Sequence, residues 1–448
     1  MKKTYAAACF VTVIVAMCVT ALVPTARAGE LEATSLKSAD LVRRMEELEK
    51  EVVALRRQVA ALQSQQNLEP AAPVESSPAG ASPVIEAAIT TPKTTPGESQ
   101  DLLTKILGPT KLSGFIDVYY AQDFNHPASG TSGLRSFEGP SGQFSFNLAQ
   151  LMLDKPPDAA NSRLGYRFAL GFGQAINAVN ASDPGGLGFA QYLKEAYFSY
   201  LAPVGNGLQV DFGKFVTPHG AEVIESSGNW NYTRGLLFSY AIPYYHVGAR
   251  LKYTFGEKYA VSGFIVNGWN NISDNNTGKT VGASFSWSPT AKFSIIQNYM
   301  VGPEAAGNAS PRRHLSDTLV AYSPFSKLSL MANFDYGRGD RISGLNRPVF
   351  WSGVAAYARY QFDDQHALAG RYEFFKDGYG FTTGTPQRVQ EFTATFQRII
   401  GRDLVTRFEF RRDFSNAPVF FKGDLPVTAQ NTFTIGLVYL FQAPAANK

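Results

Sequence analysis

From Lys111 to Phe441, apolar and polar side chains alternate in about sixteen segments of roughly 8–13 residues, the length of a transmembrane strand. Alternation with period two is the pattern of a β-strand with one apolar and one polar face. Aromatic residues crowd the apolar faces, and the connections alternate strictly between short and long. Membrane-spanning barrels combine an even strand number with tight turns on one side and long loops on the other. We therefore predict an all-β transmembrane barrel of about 16 antiparallel strands.

The predicted strands leave two kinds of connection. The strands lie at residues 111–124, 143–154, 162–174, 192–202, 208–215, 244–255, 259–267, 280–288, 293–301, 313–322, 328–337, 350–362, 366–376, 388–399, 403–413 and 431–441. Links after even-numbered strands are compact, and those after odd-numbered strands are longer, as at 125–142 and 414–430. With the N-terminus in the periplasm, the short links are periplasmic and the long loops face outwards.

Charged residues follow the polar faces of the strands. Arg167 alternates with Tyr166 and Phe168, for example. A charge that faces lipid at the bilayer midplane costs roughly 2–4 kcal/mol, so we predict that the charged faces line the lumen. Sixteen strands leave a central water-filled space, and charges of both signs give little expected preference between anions and cations. The lumen-lining candidates are Asp117, Arg163, Arg167, Glu195, Arg250, Lys252, Asp335, Arg371, Glu373, Arg407, Glu409 and Arg411.

Residues 1–28 have the features of a secretory signal peptide. Two lysines precede an apolar stretch, and a small-residue cleavage site ends at Ala28. Both cysteines of the chain, Cys9 and Cys18, fall within this segment, so we expect no thiol chemistry in the mature protein. Removal of the signal lowers the formal net charge from +4 to +1. So small a net charge does not favour binding of nucleic acid.

Residues 29–66 are predicted to form a coiled-coil oligomerisation helix. In a parallel assembly Arg44 faces Glu49 and Glu51 faces Arg56, and both pairs attract. Apolar residues recur at spacings of four and three along the seam: Leu41, Met45, Leu48, Val52, Leu55, Val59 and Leu62. Valine at a and leucine at d favour two strands, whereas barrel packing would impose three. We expect a homo-oligomer, preferably a trimer, with a dimer as the alternative.

The remaining segments connect or follow the barrel. Residues 67–110 are rich in proline, alanine, serine and threonine, cannot bury a core and are predicted to be a flexible linker. Because the helix and the linker precede the first strand, we expect both in the periplasm. The barrel domain spans residues 111–441, and residues 442–448 form a C-terminal tail. The closing strand, 431–441, resembles the aromatic-ended signal read by the barrel-assembly machinery.

Five motifs resemble those of a known family. They are Ser113-Gly-Phe-Ile-Asp-Val-Tyr-Tyr, Lys194-Glu-Ala-Tyr, Gly213-Lys-Phe-Val-Thr-Pro-His-Gly-Ala-Glu-Val-Ile-Glu, Asn231-Tyr-Thr-Arg and Val266-Asn-Gly-Trp-Asn. The region 111–441 is similar to the β-barrel porin-2 family, described as OmpL-like. The resemblance implies a porin-like barrel of the Gram-negative outer membrane, and it implies no particular substrate.

The third outer loop, residues 216–243, is too polar for a lipid-facing strand. It resembles the third loop of general porins, which folds inwards and narrows the pore. Carboxylates facing an arginine across such an opening would set up a transverse field that screens solutes by size and dipole. An ordinary surface loop over the mouth is the alternative. The constriction candidates within residues 217–234 are His219, Glu222, Glu225, Trp230, Tyr232 and Arg234.

Motifs for catalysis, metals and cofactors are missing from the sequence. No recognisable nucleophile motif, phosphate-binding glycine loop or metal-ligand spacing occurs. The histidines, which a hydrolase would need beside its nucleophile, are His126, His219, His246, His314 and His366. We predict neither an enzyme nor a protein that holds a cofactor or a metal.

The sequence favours an outer-membrane porin that lets small hydrophilic solutes diffuse passively, with lipid and its own copies as partners. Two alternatives remain. A substrate-specific channel would use aromatic residues such as Tyr119 and Tyr197 for sugars, or the lumen arginines for phosphate or carboxylates. A tether would use the coiled coil to bind the cell wall and the barrel as an anchor.

Overall fold

A computed structural model describes residues 109–181, 183, 188–340 and 347–442. Sixteen antiparallel strands form a closed barrel, each pairing with its sequence neighbour in the barrel, and the last, β18, pairs with β1. The barrel strands are β1 (Lys111–Asp123), β2 (Gln143–Lys155), β3 (Leu164–Phe172), β4 (Leu193–Ala202), β5 (Leu208–Val216), β6 (Tyr245–Phe255), β7 (Tyr259–Val266), β8 (Thr280–Thr290), β9 (Phe293–Ala305), β10 (Asn308–Phe325), β11 (Leu328–Gly339), β12 (Val349–Gln361), β13 (His366–Asp377), β14 (Gln387–Ile400), β15 (Leu404–Ser415) and β18 (Ala429–Gln442). The prediction of sixteen strands is confirmed.

Short helices, strands and turns lie in the outer loops, including a 3₁₀ turn at Ser226–Gly228 in the third loop. The hairpin β16 (Phe420–Lys422) and β17 (Leu425–Val427) precedes β18, and a 3₁₀ turn (Gly188–Tyr192) precedes β4. The helices are α1 (Gln174–Asn180) after β3 and α2 (Leu236–Tyr240) before β6. No helix in the described part of the chain is long and apolar enough to cross a membrane.

The connections alternate as predicted, with one exception. Strands β9 and β10 continue beyond the other strands as one hairpin and turn at residues 306–307, so the predicted long fifth outer loop is wrong. Pro303 and Pro311 argue against a strand in the sequence, because proline cannot donate to the ladder. The ladder accommodates Pro311 with a register shift between Asn308 and Arg312.

The outer face of the barrel is apolar. Side chains pointing away from the lumen are exposed along every wall: Phe144, Phe212, Ile265, Phe334, Phe392 and Phe408 are examples. The apolar residues of the closing strand, such as Leu437 and Tyr439, belong to the same face. An outer face covered by exposed aromatic and aliphatic side chains suits contact with lipid and not with water.

This orientation gives a direct test with neighbouring residues of β8. Ala283 faces outwards and Ser284 faces the lumen, because Ser284 lines an internal cavity. We expect Ala283→Arg to lower the free energy of unfolding in lipid by about 2–4 kcal/mol. Ser284→Arg, the matched control, should lower it clearly less, as measured by denaturant titration of the folded barrel in bilayers. Equal losses would contradict the assigned facing of the strands.

The signal peptide, the coiled-coil seam from Leu41 to Leu62, nearly all of the linker and residues 443–448 of the tail lie outside the described residues. Their assignments stay predictions.

Candidate pore constriction

The third outer loop, residues 217–244 between β5 and β6, packs against the inner wall of the barrel. Most of its side chains are buried, including Tyr232, Leu236 and Leu237. Its partners are inward-facing side chains of strands that are distant from the loop in the sequence. A surface loop over the mouth would not reach them, so the loop enters the lumen.

The start of the loop is held by three neighbouring strands. The Asn298 side chain on β9 donates to the Pro218 carbonyl at 3.0 Å, and the Gly220 amide donates to Asp317 on β10 at 3.0 Å. The Ala221 amide donates to Asn333 on β11, also at 3.0 Å. Asp317 and Asn333 are fully or almost fully buried. Backbone amides bonded to buried polar side chains position this segment firmly.

The middle of the loop reaches the strands that close the barrel. The Tyr232 hydroxyl donates to Asp117 on β1 at 2.6 Å, and its backbone amide donates to Glu409 on β15 at 2.5 Å. The Thr233 amide also donates to Glu409, at 3.0 Å. Arg407 on β15 donates to the Asn229 carbonyl at 2.7 Å. The loop therefore spans the lumen from β9 to β1.

Gly436 on β18 makes room for this crossing. A Cβ atom at this position would lie 2.3 Å from two atoms of the Tyr232 ring, which is fully buried. We expect Gly436→Ala to displace the loop and to lower the free energy of unfolding by about 1–3 kcal/mol. Gly370→Ala, with 3.8 Å to its nearest neighbour, should stay within about 0.5 kcal/mol of the parent. If both variants unfold like the parent, the close packing of Tyr232 is not present in the folded protein.

A chain of alternating charges joins the third loop to the first. Glu222 bonds Arg371 at 2.5 Å, Arg371 bonds Glu391 at 2.8 Å, and Glu391 lies 3.3 Å from Arg411. Arg411 then pairs with Asp413 at 2.8 Å, a carboxylate that Arg135 of the first loop also contacts. The side chains of this chain are at most 3% exposed. Such a pair is costly to break, because the remaining charge stays buried without its partner.

The charged candidates of the loop are all engaged in ion pairs. Arg234 pairs with Glu138 of the first loop, and Glu225 pairs with Lys194 on β4. Burial alone would lower the pKa of Arg234, but Glu138 and Asp117 more than offset it and raise that pKa. Burial would likewise raise the pKa of Glu225, yet Lys194 holds it below its ordinary value. These charges are anchors of the loop, which differs from the sequence-based picture of free charges facing each other across water.

The predicted lumen residues divide into two groups. On β1 and β11–β15 the residues beneath the loop are fully or almost fully buried: Asp117, Asp335, Arg371, Glu373, Arg407, Glu409 and Arg411. On β3–β6 the loop covers less of the wall. The side chains of Arg167 and Lys252 are 34% and 30% exposed, whereas Arg250 is 10% exposed and Glu195 is buried. Arg163, just before β3, donates to the Leu201 carbonyl at 3.0 Å.

The less covered wall carries more positive than negative charge. Asp211 is the shared partner of Arg250, at 2.8 Å, and of Lys252, at 3.1 Å. Arg167 pairs with Asp154 at 2.9 Å. In these pairs three cations share two carboxylates, and Glu195 on the same wall has its own cation, Lys194, at 3.5 Å. Asp211 is fully buried and Asp154 is 21% exposed, whereas Arg167 and Lys252 are 34% and 30% exposed, so the cations are the more exposed partners of these pairs.

Several anchoring residues were not singled out from the sequence. Asn298, Asp317 and Asn333 occupy inward positions of three consecutive strands, and Glu138 lies in the first outer loop. The sequence did show polar side chains at these positions of the strands, and a buried amide or carboxylate needs a hydrogen-bond partner. That partner belongs to a loop distant in sequence.

A closed sixteen-stranded barrel with an apolar outer belt and a loop held inside its lumen is a porin-like outer-membrane barrel. The chain belongs to the family described as "Putative beta-barrel porin-2, OmpL-like", whose model matches residues 109–441. No curated protein matches the chain significantly.

Two solved structures are similar in fold. The outer membrane channel DcaP of Acinetobacter baumannii has a TM-score of 0.52 at 10% identity, over 74% of this chain and 97% of that one. An anion-selective porin from Comamonas acidovorans has a TM-score of 0.53 at 11% identity, over 74% and 99%. At these identities the likeness concerns the fold.

Proposed function

We propose that the protein is an outer-membrane porin through which small hydrophilic solutes diffuse passively, with residues 217–234 as its constriction. The observation that carries this proposal is that the third loop covers one part of the inner wall of the barrel and leaves another part partly exposed. The loop buries the inner faces of β11–β15 and β1, while Arg167 and Lys252 on the opposite wall stay partly exposed. The path for solutes lies along β3–β6, between this wall and the anchored loop.

The constriction is fixed in this proposal and does not act as a hinged gate. Hydrogen bonds and ion pairs attach the loop to β1, β4, β9, β10, β11, β13 and β15. Hydrophilic solutes smaller than the remaining opening pass, and the opening excludes larger ones. The wider assembly is a homo-oligomer joined by the coiled-coil seam, a trimer in preference to a dimer, with that stalk in the periplasm.

Liposome swelling tests this function with solutes of graded size. Purified protein, shown to be folded by its heat-dependent shift on electrophoresis, is reconstituted and diluted into isotonic arabinose, glucose or raffinose. We expect swelling that slows steeply as the sugar becomes larger. Folded barrels that give no swelling with any of the sugars would contradict passive diffusion and favour the tether.

A further inference from the structure

A cavity of about 180 Å³ lies in the lumen beneath the start of the third loop. Val216 at the end of β5 and loop residues 217–223 and 228–230 cover it, and inward-facing residues of β6 and β8–β12 form its walls. The wall residues lie towards the strand ends that carry the short turns, so the cavity is on the periplasmic side of the loop. The cavity borders the proposed solute path at Arg250 on β6, and its lining differs from that of a plain aqueous passage.

One side of the cavity is apolar and partly aromatic. Ile296 and Leu319 face each other across β9 and β10, and Met331 faces Tyr357 across β11 and β12. The Trp230 ring meets the Tyr357 ring edge-on, with centroids 6.4 Å apart. Most of the surface of this wall is aliphatic or aromatic. It suits a flat apolar body, because aromatic rings favour edge-on and offset contacts.

The lining of the cavity also includes a fixed cation, Arg250 on β6. The Arg250 guanidinium lies 4.3 Å from the Phe215 ring centroid and 5.6 Å from that of Tyr197. Its Nε and Nη2 donate to Asp211, and Nη1 donates no hydrogen bond to any described residue. Since Lys252 shares the same carboxylate, the pair of cations is only half neutralised. A carboxylate on a ligand fits this position.

A third group, His219, presents an unused hydrogen-bond acceptor. The His246 Nδ1 lies 3.0 Å from the Gly268 carbonyl, which can only accept, so Nδ1 carries the proton and Nε2 accepts. The Thr217 hydroxyl, 3.1 Å from that Nε2, donates to it and therefore accepts from His219 Nδ1, also at 3.1 Å. His219 Nε2 is left with a lone pair, buried and without a partner.

The charge state of His219 agrees with this assignment. Burial, and then the neighbouring His246, lower the pKa of His219 to about 3, so the imidazole is neutral at physiological pH. A neutral imidazole with its proton on Nδ1 can accept at Nε2 but cannot donate there. The complementary group on a ligand is a hydroxyl.

We propose that this cavity binds a small aromatic monocarboxylic acid that carries a ring hydroxyl. The carboxylate lies against Arg250, the ring lies on the apolar wall beside the Trp230–Tyr357 pair, and the hydroxyl donates to His219. The volume is adequate, since an apolar cavity of roughly 150 Å³ holds a benzene ring. The proposal rests on the proposed function and refines it, from a general pore to one with a preferred solute class.

Calorimetric titration of the detergent-folded full-length protein tests the three contacts separately. The probes are 4-hydroxybenzoate, benzoate, phenol and acetate. We expect 4-hydroxybenzoate to bind about tenfold more tightly than benzoate, which lacks the hydroxyl, and than phenol, which lacks the carboxylate. Acetate, which lacks the ring, should give no measurable binding. Equal affinities for all four probes, or binding of none, would overturn the proposal.

Three variants complete the test. Arg250→Gln should weaken 4-hydroxybenzoate about tenfold and leave phenol unchanged. His219→Leu should remove the preference for 4-hydroxybenzoate over benzoate, which keeps the proposal falsifiable if the first variant does not fold. Arg338→Gln, on a half-exposed arginine outside the cavity, is the matched control and should bind like the parent.

The outcomes separate this proposal from the porin function. A barrel that conducts but binds no aromatic acid overturns the cavity proposal alone. A barrel that binds 4-hydroxybenzoate and neither conducts nor supports swelling overturns the open pore alone.

Discussion

Replacing Arg371 by alanine is expected to free the third loop from the barrel wall and to raise the single-channel conductance. The Arg371 guanidinium bonds Glu222 at 2.5 Å and the Thr233 carbonyl at 2.6 Å, and it also holds Glu391 on β14. Removing one partner of a buried ion pair costs about 3–5 kcal/mol. The strand ladders do not depend on the loop, so the loop should give way before the barrel.

Planar-bilayer recordings of the parent protein and of Arg371→Ala measure the change in conductance. We expect larger and noisier openings for the variant, together with faster passage of raffinose into liposomes. Arg338→Ala is the control, because its partner Asp340 is one-third exposed and surface pairs contribute about 0–1 kcal/mol. A variant with the parent's conductance and sugar cut-off would show that the ion-pair chain does not hold the loop in place.

Reversing the charge of Arg167 and Lys252 together is expected to invert the ion preference of the pore. These two side chains are the most exposed of the ion-paired, inward-facing charges on β3–β6. The Coulomb energy between one such charge and a passing monovalent ion 4 Å away is about 1 kcal/mol even in water. The parent should therefore favour chloride over potassium by a few-fold, roughly 2–5. This prediction differs from the sequence-based expectation of little preference, because the loop buries charges of both signs on β11–β15 and β1 and leaves Arg167 and Lys252 partly exposed.

The reversal potential in a KCl gradient measures the preference. Arg167→Glu with Lys252→Glu should move it to the cation-selective side, and Arg167→Lys with Lys252→Arg should leave it near the parent value. Raising the salt concentration should weaken the preference in each protein through screening. If the double glutamate variant kept the anion preference of the parent, charges elsewhere would set the selectivity.

The barrel could be predicted because the alternation of polar and apolar residues within each strand is visible in the sequence of that strand alone. Side-chain parity at Arg167 and Phe168, or at Arg407 and Phe408, assigns the faces of a strand without knowledge of its neighbours. The same local reasoning failed at residues 302–312. There Pro303 and Pro311 indicate a loop, while pairing between β9 and β10 extends the hairpin.

The candidate site was accessible only in part. The composition of the third loop indicated Tyr232 and Arg234, but their partners lie far away in the chain. Tyr232 bonds Asp117 and Glu409, and Arg234 bonds Glu138. Such pairings follow from closure of the barrel, so the sequence alone gives no means of telling an anchoring charge from one that faces water.

The most direct test of the porin assignment is the conductance of the parent protein, folded in detergent and inserted into a planar bilayer under a KCl gradient. We predict long-lived openings in grouped steps, as expected of an oligomer, with a reversal potential on the anion-selective side. Silence from barrels shown to be folded and inserted would contradict an open path along β3–β6.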